Sequence, residues 1–449
     1  MEKQILYPSG QADFSARVPA LVHLGSGHLV LAHDLRPRPK GEQWRSSGGA
    51  LPDDLPNPNS VVVRHSYNHG STWDDAQILA EGVARGYSLD GIGCGYSDPS
   101  LIWDGSKLHL FITASRLTGL FGAKPALQAP APGWHETPAA ALAKQGDEEL
   151  ALLYGVSRDN GYTWCWRQID MAAAATNGKR SWRTNFKVAP CGFSVSGHGV
   201  CLNGGRLVQP LVLRIEGSSE GAQQLQACCL LSDDGGQSWF LGQPCQQTQE
   251  GQTGSLAGGT ATSGVDEFCI AQVNADVLLL SARDAGYGGQ RLSAVSVNGG
   301  VSWSKASPDP VADPGCNAGM VSVRASEFGL VIVSDQPHVF LMQSELYNTV
   351  YGGRHADDRF ALLTNAFDAR QRRNGWLEAV LLPPGADSGY TEGEEYGPVR
   401  YQLLVELEPG SFGYSDVAWT DRTVVVVYES EGGLKQVSLS AGEVRQRVV

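Results

Sequence analysis

The sequence predicts an all-β fold of the β-propeller type, and three observations carry that prediction. An eight-residue pattern recurs four times, as SYNHGSTW from Ser66, SRDNGYTW from Ser157, SDDGGQSW from Ser232 and SVNGGVSW from Ser296. Each copy follows a strand-like run: SVVVRH, ELALLYGV, QLQACCLL and RLSAV. The steps between copies are too long for a solenoid and suit blades of about four strands with loop insertions.

Every position of the pattern Ser-x-Asp/Asn-x-Gly-x-Ser/Thr-Trp has a mechanical job. The Asp or Asn side chain is expected to bond backbone N–H groups two residues on and close a tight turn. The Gly supplies a left-handed backbone angle, and the hydroxyl adds a local backbone bond. The Trp folds back as an apolar plug with its indole N–H free for a partner. The unit is therefore strand, turn, strand, a hairpin. With 55 Gly and 23 Pro in 449 residues and little helical periodicity, the rest of the chain suits short strands joined by turns. No interdomain linker is visible, so residues 1–449 are expected to form one domain. The Ala- and Pro-rich segment of about 118–149 is the exception and reads as a loop insertion near a rim, with one helical turn.

A net charge of −13 opposes nucleic acid and anionic membrane as general partners, and leaves room for a small anion in a local basic pocket. No apolar run is long enough for a membrane span. The start MEKQILYPSGQADFS has no apolar signal segment, so a cytoplasmic location is expected, or a secreted one if the chain is a piece of a longer protein. The nine Cys lack metal spacing, and most of them read as buried fillers in a reducing compartment. The His residues show no ligand spacing either, so neither metal nor cofactor is expected.

The turn motifs are similar to the Asp boxes of the sialidase (neuraminidase) superfamily, and the resemblance runs in order from about residue 15 to 430. SARVPAL at Ser15–Leu21 resembles the family's Arg-Ile-Pro motif, with Arg17 as its arginine. DLRP from Asp34 and DLPNPNSVVVRHS from Asp54 resemble the stretch running into the first box of bacterial sialidases, and GYSDPS from Gly95 resembles another segment of the family. DEFCIAQV from Asp266, then LLLSARD ending at Asp284, is similar to the glutamate-then-arginine region. SFGYSD from Ser411 and VVYES from Val426 look like the terminal tyrosine and glutamate motifs. The resemblance implies a six-bladed β-propeller.

It also implies a chemistry. Sialic acid carries a carboxylate on its anomeric carbon, and planar arginine forks hold such a group better than lysines. Arg17, Arg283 and Arg372 are the candidates; in ARQRRNGW, Arg370 and Arg373 compete, and the family pattern selects Arg372. A carboxylate nucleophile would be repelled there, whereas a neutral phenol deprotonated by a base would not. By resemblance that pair is Tyr414 and Glu267, with Asp266 the neighbouring rival. Asp54, rather than Asp53, would be the general acid, its pKa raised by burial or by closure on substrate. Glu429 would hold the fork of Arg17, while Arg36, Asp34 and Asp98 would line the pocket; Asp98 reads equally as a turn residue before Pro99. His198 reads as a satisfied structural histidine.

The expected activity is retaining exo-hydrolysis of terminal α-linked sialic acid from a sialylated glycoconjugate or oligosaccharide. Alternatives are the same site acting on another nonulosonic acid, such as the deaminated form, or transferring the sugar instead of hydrolysing it. A sialoglycan-binding propeller without catalysis would need the arginines but not Asp54 or the Tyr414–Glu267 pair. A glycosidase of another propeller family would show two catalytic carboxylates and no arginine triad. Linkage preference and oligomeric state are not encoded in any motif.

Overall fold

The structure is a computed structural model that describes residues 1–8, 13–37, 54–84, 93–126, 128–142, 145–176, 191–216, 223–247, 254–255, 261–335, 338–345, 359–382 and 399–448. Asp53 lies outside the described residues.

Strands dominate, and they follow one another in antiparallel runs. Phe14–Gly25, His28–Pro37, Ser60–Ser66 and Gln77–Ala80 pair in sequence order. Gly95–Trp103, Leu108–Ser115, Leu150–Ser157 and Cys165–Gln168 do the same, with the short strand Gly197–His198 added in parallel to the first. Leu207–Glu216, Gln223–Ser232 and Phe240–Leu241 form a third run, and Ala261–Asn274, Val277–Asp284, Gln290–Ser296 and Ser307–Ala312 a fourth. The third and fourth join through a short parallel pairing of Gln223–Leu225 with Thr262–Gly264. Gly319–Arg324, Arg359–Ala366, Arg373–Leu381 and Arg400–Ser411 form a fifth run. In the last sheet, Ser415–Trp419, Thr423–Ser430 and Gly433–Ser440 are completed by the N-terminal strand Glu2–Tyr7.

The first strands of neighbouring runs touch. Phe14–Gly25 meets Gly95–Trp103 and Ser415–Trp419, and Gly319–Arg324 meets Ala261–Asn274 and Ser415–Trp419. The architecture is all-β and propeller-like. Apolar side chains from adjacent sheets fill the spaces between them; one such cluster sets Val30, Val61 and Val63 against Leu101, Leu110 and Ile112, all fully buried. Each contributes roughly 1.5–3 kcal/mol of transfer free energy.

All four boxed turns form at strand ends as expected, but their wiring is longer than the sequence suggests. The Asp or Asn oxygen accepts a backbone N–H four residues on: Asn68 from Thr72 at 2.9 Å, Asp159 from Thr163 at 2.8 Å, Asp234 from Ser238 at 2.8 Å and Asn298 from Ser302 at 2.9 Å. The first serine accepts the Gly N–H, as in Gly161 to Ser157 at 2.7 Å. The reach lengthens because the Gly, at φ +84°, +103°, +85° and +82° in the four copies, curls the chain back over the side chain. Trp164, Trp239 and Trp303 are buried plugs, and the Trp73 indole donates to Gln436 at 2.8 Å. The insertion contains a 3₁₀ turn at Leu120–Gly122 and one helical turn at Pro138–Ala141, capped by Thr137. It is pinned to the edge strand by backbone bonds between His135 and Trp166 at 2.7 Å.

The boxes lie at one end of the strands and the motif residues at the other. On strand His28–Pro37, Leu29 faces Ser66 of the first box, while Asp34 faces Arg17. On strand Val277–Asp284, Leu278 faces Ser296 of the fourth box, while Arg283 lies near the far end.

Candidate active site

At that far end, irregularities in the inner strands aim the side chains. Strand registers shift between Arg17 and Ala20, between Ser97 and Ser100, and between Val265 and Phe268. These bulges carry Arg17, Asp98, and the Asp266–Glu267 pair. An extra residue in a strand re-aims its neighbours, so adjacent side chains that a regular strand would send to opposite faces reach one site. The strain is visible at Val18 (φ +52°) and Asp98 (φ +58°), conformations costly for a branched or side-chain-bearing residue.

Tyr414 is the centre. It sits just ahead of strand Ser415–Trp419, 7% exposed, and packs on Val18 and Cys316. Its hydroxyl donates to Glu267 Oε2 at 2.5 Å and accepts from Arg283 Nη1 at 3.0 Å. Burial and then the Glu267 carboxylate push this hydroxyl well above the ordinary phenol range, against the pull of Arg283 and Arg372. The resting nucleophile candidate is therefore a neutral phenol with a base already on its proton.

Three guanidiniums surround that ring. Arg283 donates from Nη1 to Glu267 at 2.6 Å, lies 3.0 Å through Nε from Asp266, and donates from Nη2 to Tyr287 at 2.7 Å. Asp266 thus braces the arginine, and Glu267 meets the tyrosine. Arg17 stands 5.6 Å from the Tyr414 ring centre and Arg372 5.0 Å. Arg17 is held through Nε by Glu429 at 3.2 Å. Arg372 donates to the Gly315 carbonyl at 3.2 Å, and among the described residues no carboxylate pairs with it. Its rival Arg373 turns away to Asp368 at 2.6 Å.

A second group flanks the first. Arg36, fully buried, donates to Asp34 at 3.0 Å, to Asp54 at 2.6 Å and to Ser97 at 3.1 Å, and lies 3.8 Å from Asp98. Burial raises Asp34 to about 6 against the attraction of Arg36. Asp98 is also raised well above the ordinary carboxylate range, by burial and then by Asp34; it turns the backbone at φ +58° and stands 3.8 Å from Arg36.

Asp54 lies beside these cations. Its side chain is 81% exposed, 3.8 Å from Arg17. Desolvation by its neighbours raises the carboxyl, but Arg36, Arg17 and Arg372 together outweigh that and hold it below the usual value. Three cations thus converge on Asp54 and oppose the rise that burial alone would give.

His198 is structural, as expected. Its Nδ1 meets Asp416 at 2.8 Å, and Asp416 also accepts the Leu21 N–H at 2.7 Å. Burial lowers its pKa, and Asp416 more than restores it. Among the described residues no group of His, Cys, Asp and Glu could hold a metal ion. Sequence reasoning missed Tyr287, Ser97 and the Gly315 carbonyl. The run GYGG after Arg283 carries only a turn signal, and nothing in it marks the aromatic as a site residue.

A BNR repeat-like domain matches residues 132–425. The chain belongs to the BNR-repeat proteins of the sialidase superfamily. This BNR-repeat chain is 27% identical over 447 residues to a protein named Sialidase from Micromonospora viridifaciens, covering 98% of this chain and 53% of that one. It therefore spans about half the length of that curated relative. Among solved structures it resembles a Hadza microbial sialidase (TM-score 0.63, 18% identity, 98% of this chain and 68% of that one). It also resembles the intramolecular trans-sialidase from Ruminococcus gnavus (0.63, 15%, 99% and 98%) and the Trypanosoma rangeli sialidase (0.59, 15%, 99% and 60%). At those identities the structural matches speak for the BNR-repeat fold.

Proposed function

We propose that this protein is a retaining exo-sialidase built on a six-bladed propeller, hydrolysing terminal α-linked sialic acid from glycans through a Tyr414-linked intermediate. One observation carries the reading: Arg17, Arg283 and Arg372 surround a tyrosine whose hydroxyl is bonded to a carboxylate, Glu267, at 2.5 Å. The six successive antiparallel runs support the blade count.

The arginines grip the substrate carboxylate and orient the anomeric carbon above Tyr414. Tyr414 attacks as its proton passes to Glu267, and Asp54 protonates the departing oxygen. Water, activated by Asp54 as base, then cleaves the tyrosyl glycoside, giving sialic acid of retained configuration. Arg36 anchors Asp54 over the pocket at 2.6 Å.

The test is release of 4-methylumbelliferone from its α-N-acetylneuraminide, run beside Tyr414→Phe and beside the deaminated-sugar analogue. We expect turnover by the native protein and a loss of at least about a thousand-fold in the variant. Near-native rates in Tyr414→Phe would remove the nucleophile assignment, and silence of native protein on both sugars would remove the activity.

A further inference from the structure

Arg291 is a fully buried cation that the reaction above leaves without a role. It lies on strand Gln290–Ser296, directly opposite Arg283 in the register. The two guanidiniums take different partners. Arg283 goes to Asp266, Glu267 and the Tyr414 hydroxyl. Arg291 donates from Nε to the Ser281 hydroxyl at 2.8 Å, from Nη2 to the Ser281 carbonyl at 3.0 Å and from Nη1 to the Cys316 carbonyl at 3.0 Å. Nη1 also lies 3.6 Å from Asp313 Oδ2. A guanidinium this deep has given up its hydration, and these contacts offset the loss. Its donors form a rigid planar fork, so it fixes where its acceptors stand as well as pairing with them.

Cys316 and Asp313 both belong to the short segment between strands Ser307–Ala312 and Gly319–Arg324. That segment is held by side chains. Asp313 Oδ1 accepts the Cys316 N–H at 3.1 Å, the Asp313 N–H donates to the Gly289 carbonyl at 3.1 Å, and Arg291 takes the Cys316 carbonyl. Gly315, between them, has φ +80°, and a Cβ there would come within 2.6 Å of the Tyr287 ring. Its carbonyl is the group that accepts from Arg372 Nη2 at 3.2 Å. The three arginines of the site thus differ in what aims them. Glu429 holds Arg17, and Asp266 and Glu267 hold Arg283. Arg372 rests on a backbone carbonyl, and among the described residues no carboxylate pairs with it. That carbonyl is one residue from the carbonyl that Arg291 grips.

We propose that Arg291 is a positioning residue: its fork on Cys316 and Asp313 fixes the Gly315 carbonyl, which aims Arg372 at the carboxylate of the bound sugar. The inference rests on the sialidase reading. Arg291→Met would leave Asp313 buried without its cation and would test folding, so Arg291→Lys is the deciding variant. A lysine keeps a charge opposite Asp313 but cannot span Ser281 and Cys316 with one planar fork. Its melting temperature should stay close to native. On 4-methylumbelliferyl α-N-acetylneuraminide its KM should rise about ten-fold, with kcat within about two-fold of native, since Tyr414 keeps its bonds to Glu267 and Arg283. A loss confined to kcat and melting temperature, with KM unchanged, would overturn the positioning role. The dissociation constant of 2-deoxy-2,3-didehydro-N-acetylneuraminic acid, read by NMR titration, should weaken by the same factor. In an Arg372→Ala background that loss should shrink to within about two-fold, because two residues acting through one contact are not additive. Fully additive losses would place the effect of Arg291 elsewhere and overturn the proposal. If the native protein neither hydrolyses the sialoside nor binds the inhibitor, the sialidase reading fails instead. Crystal structures of native protein and Arg291→Lys then decide the proposal alone: a displaced Gly315 carbonyl that has released Arg372 supports it, and an unmoved one overturns it.

Discussion

The Nε of Arg17 lies 3.2 Å from Oε1 of Glu429, and the same oxygen accepts the backbone N–H of Val18 at 2.7 Å. One carboxylate thus aims an arginine and stabilises the strained residue beside it, whose φ is +52°. Glu429 sits on strand Thr423–Ser430 and Arg17 on Phe14–Gly25, so the pair also ties two sheets together at the site.

Glu429→Ala should therefore hurt binding and stability together. A partly buried guanidinium losing its partner costs about 3–5 kcal/mol in buried pairs, less here because Arg17 keeps some solvent contact. We expect KM for a sialoside to rise at least about ten-fold, with a smaller fall in kcat. Steady-state kinetics beside a thermal melt checks both. An unchanged KM would mean Arg17 does not hold substrate.

Asp54 leads to a prediction about pH. A general acid must be protonated, so activity falls as pH rises through its pKa. In the free protein Arg36, Arg17 and Arg372 depress that pKa. A bound substrate carboxylate would neutralise much of the charge on Arg17 and Arg372, and the pKa should rise. The basic limb of kcat, which reports the complex, should then lie at higher pH than the basic limb of kcat/KM, which reports the free enzyme. Full pH profiles on one sialoside measure both limbs. Coincident limbs would show that substrate does not relieve Asp54.

How much of this was written in the sequence divides along physical lines. The repeated turns and the order of the motifs were legible because each depends on neighbours within a few residues. Arg17, Glu267, Arg283, Arg372 and Tyr414 were legible as residue types, and the fold brings all five together. Their aim was not, because it depends on bulges that follow from pairing registers between strands. The state of Asp54 was illegible for another reason: it is a sum over charges from three separate segments. Tyr287 was hidden because a turn composition does not say which side chain will face a pocket.

The boxed turns should matter for stability and not for catalysis, since they lie at the opposite strand ends. Asp234 accepts the Ser238 N–H at 2.8 Å, the Gln237 N–H at 2.9 Å and the Ser238 hydroxyl at 2.5 Å. Asp234→Ala should cost about 1–2 kcal/mol and leave kcat/KM unchanged. Partial burial raises this carboxyl, but the hydrogen bonds outweigh it and depress its pKa. Its contribution is thus complete above the unfolded value of about 3.9 and lost as pH falls through the lower folded value. Urea unfolding of native and variant protein should show a constant gap at neutral pH that narrows on acidification. A gap that widens in acid would contradict the assignment.

Glu378 gives the reverse sign. It sits on strand Arg373–Leu381, fully buried, and among the described residues neither of its carboxyl oxygens has a hydrogen-bond partner. Burial, then the nearby Asp309 carboxylate, raise its pKa to about 8, with Arg291 opposing. Between the unfolded value of about 4.3 and the folded one, the native protein keeps a proton that the unfolded chain has released. Stability should fall as pH rises across that window and level off above it. Glu378→Gln cannot ionise, so it removes this dependence while keeping size and polarity. Its advantage over the native protein should be smallest near pH 4, grow toward pH 8 and level off above it, read as melting temperatures in matched buffers. Parallel curves for the two proteins would mean that Glu378 is ionised in the fold and finds its compensation in Arg291, whose guanidinium also donates to the Cys316 carbonyl at 3.0 Å, beside Tyr414.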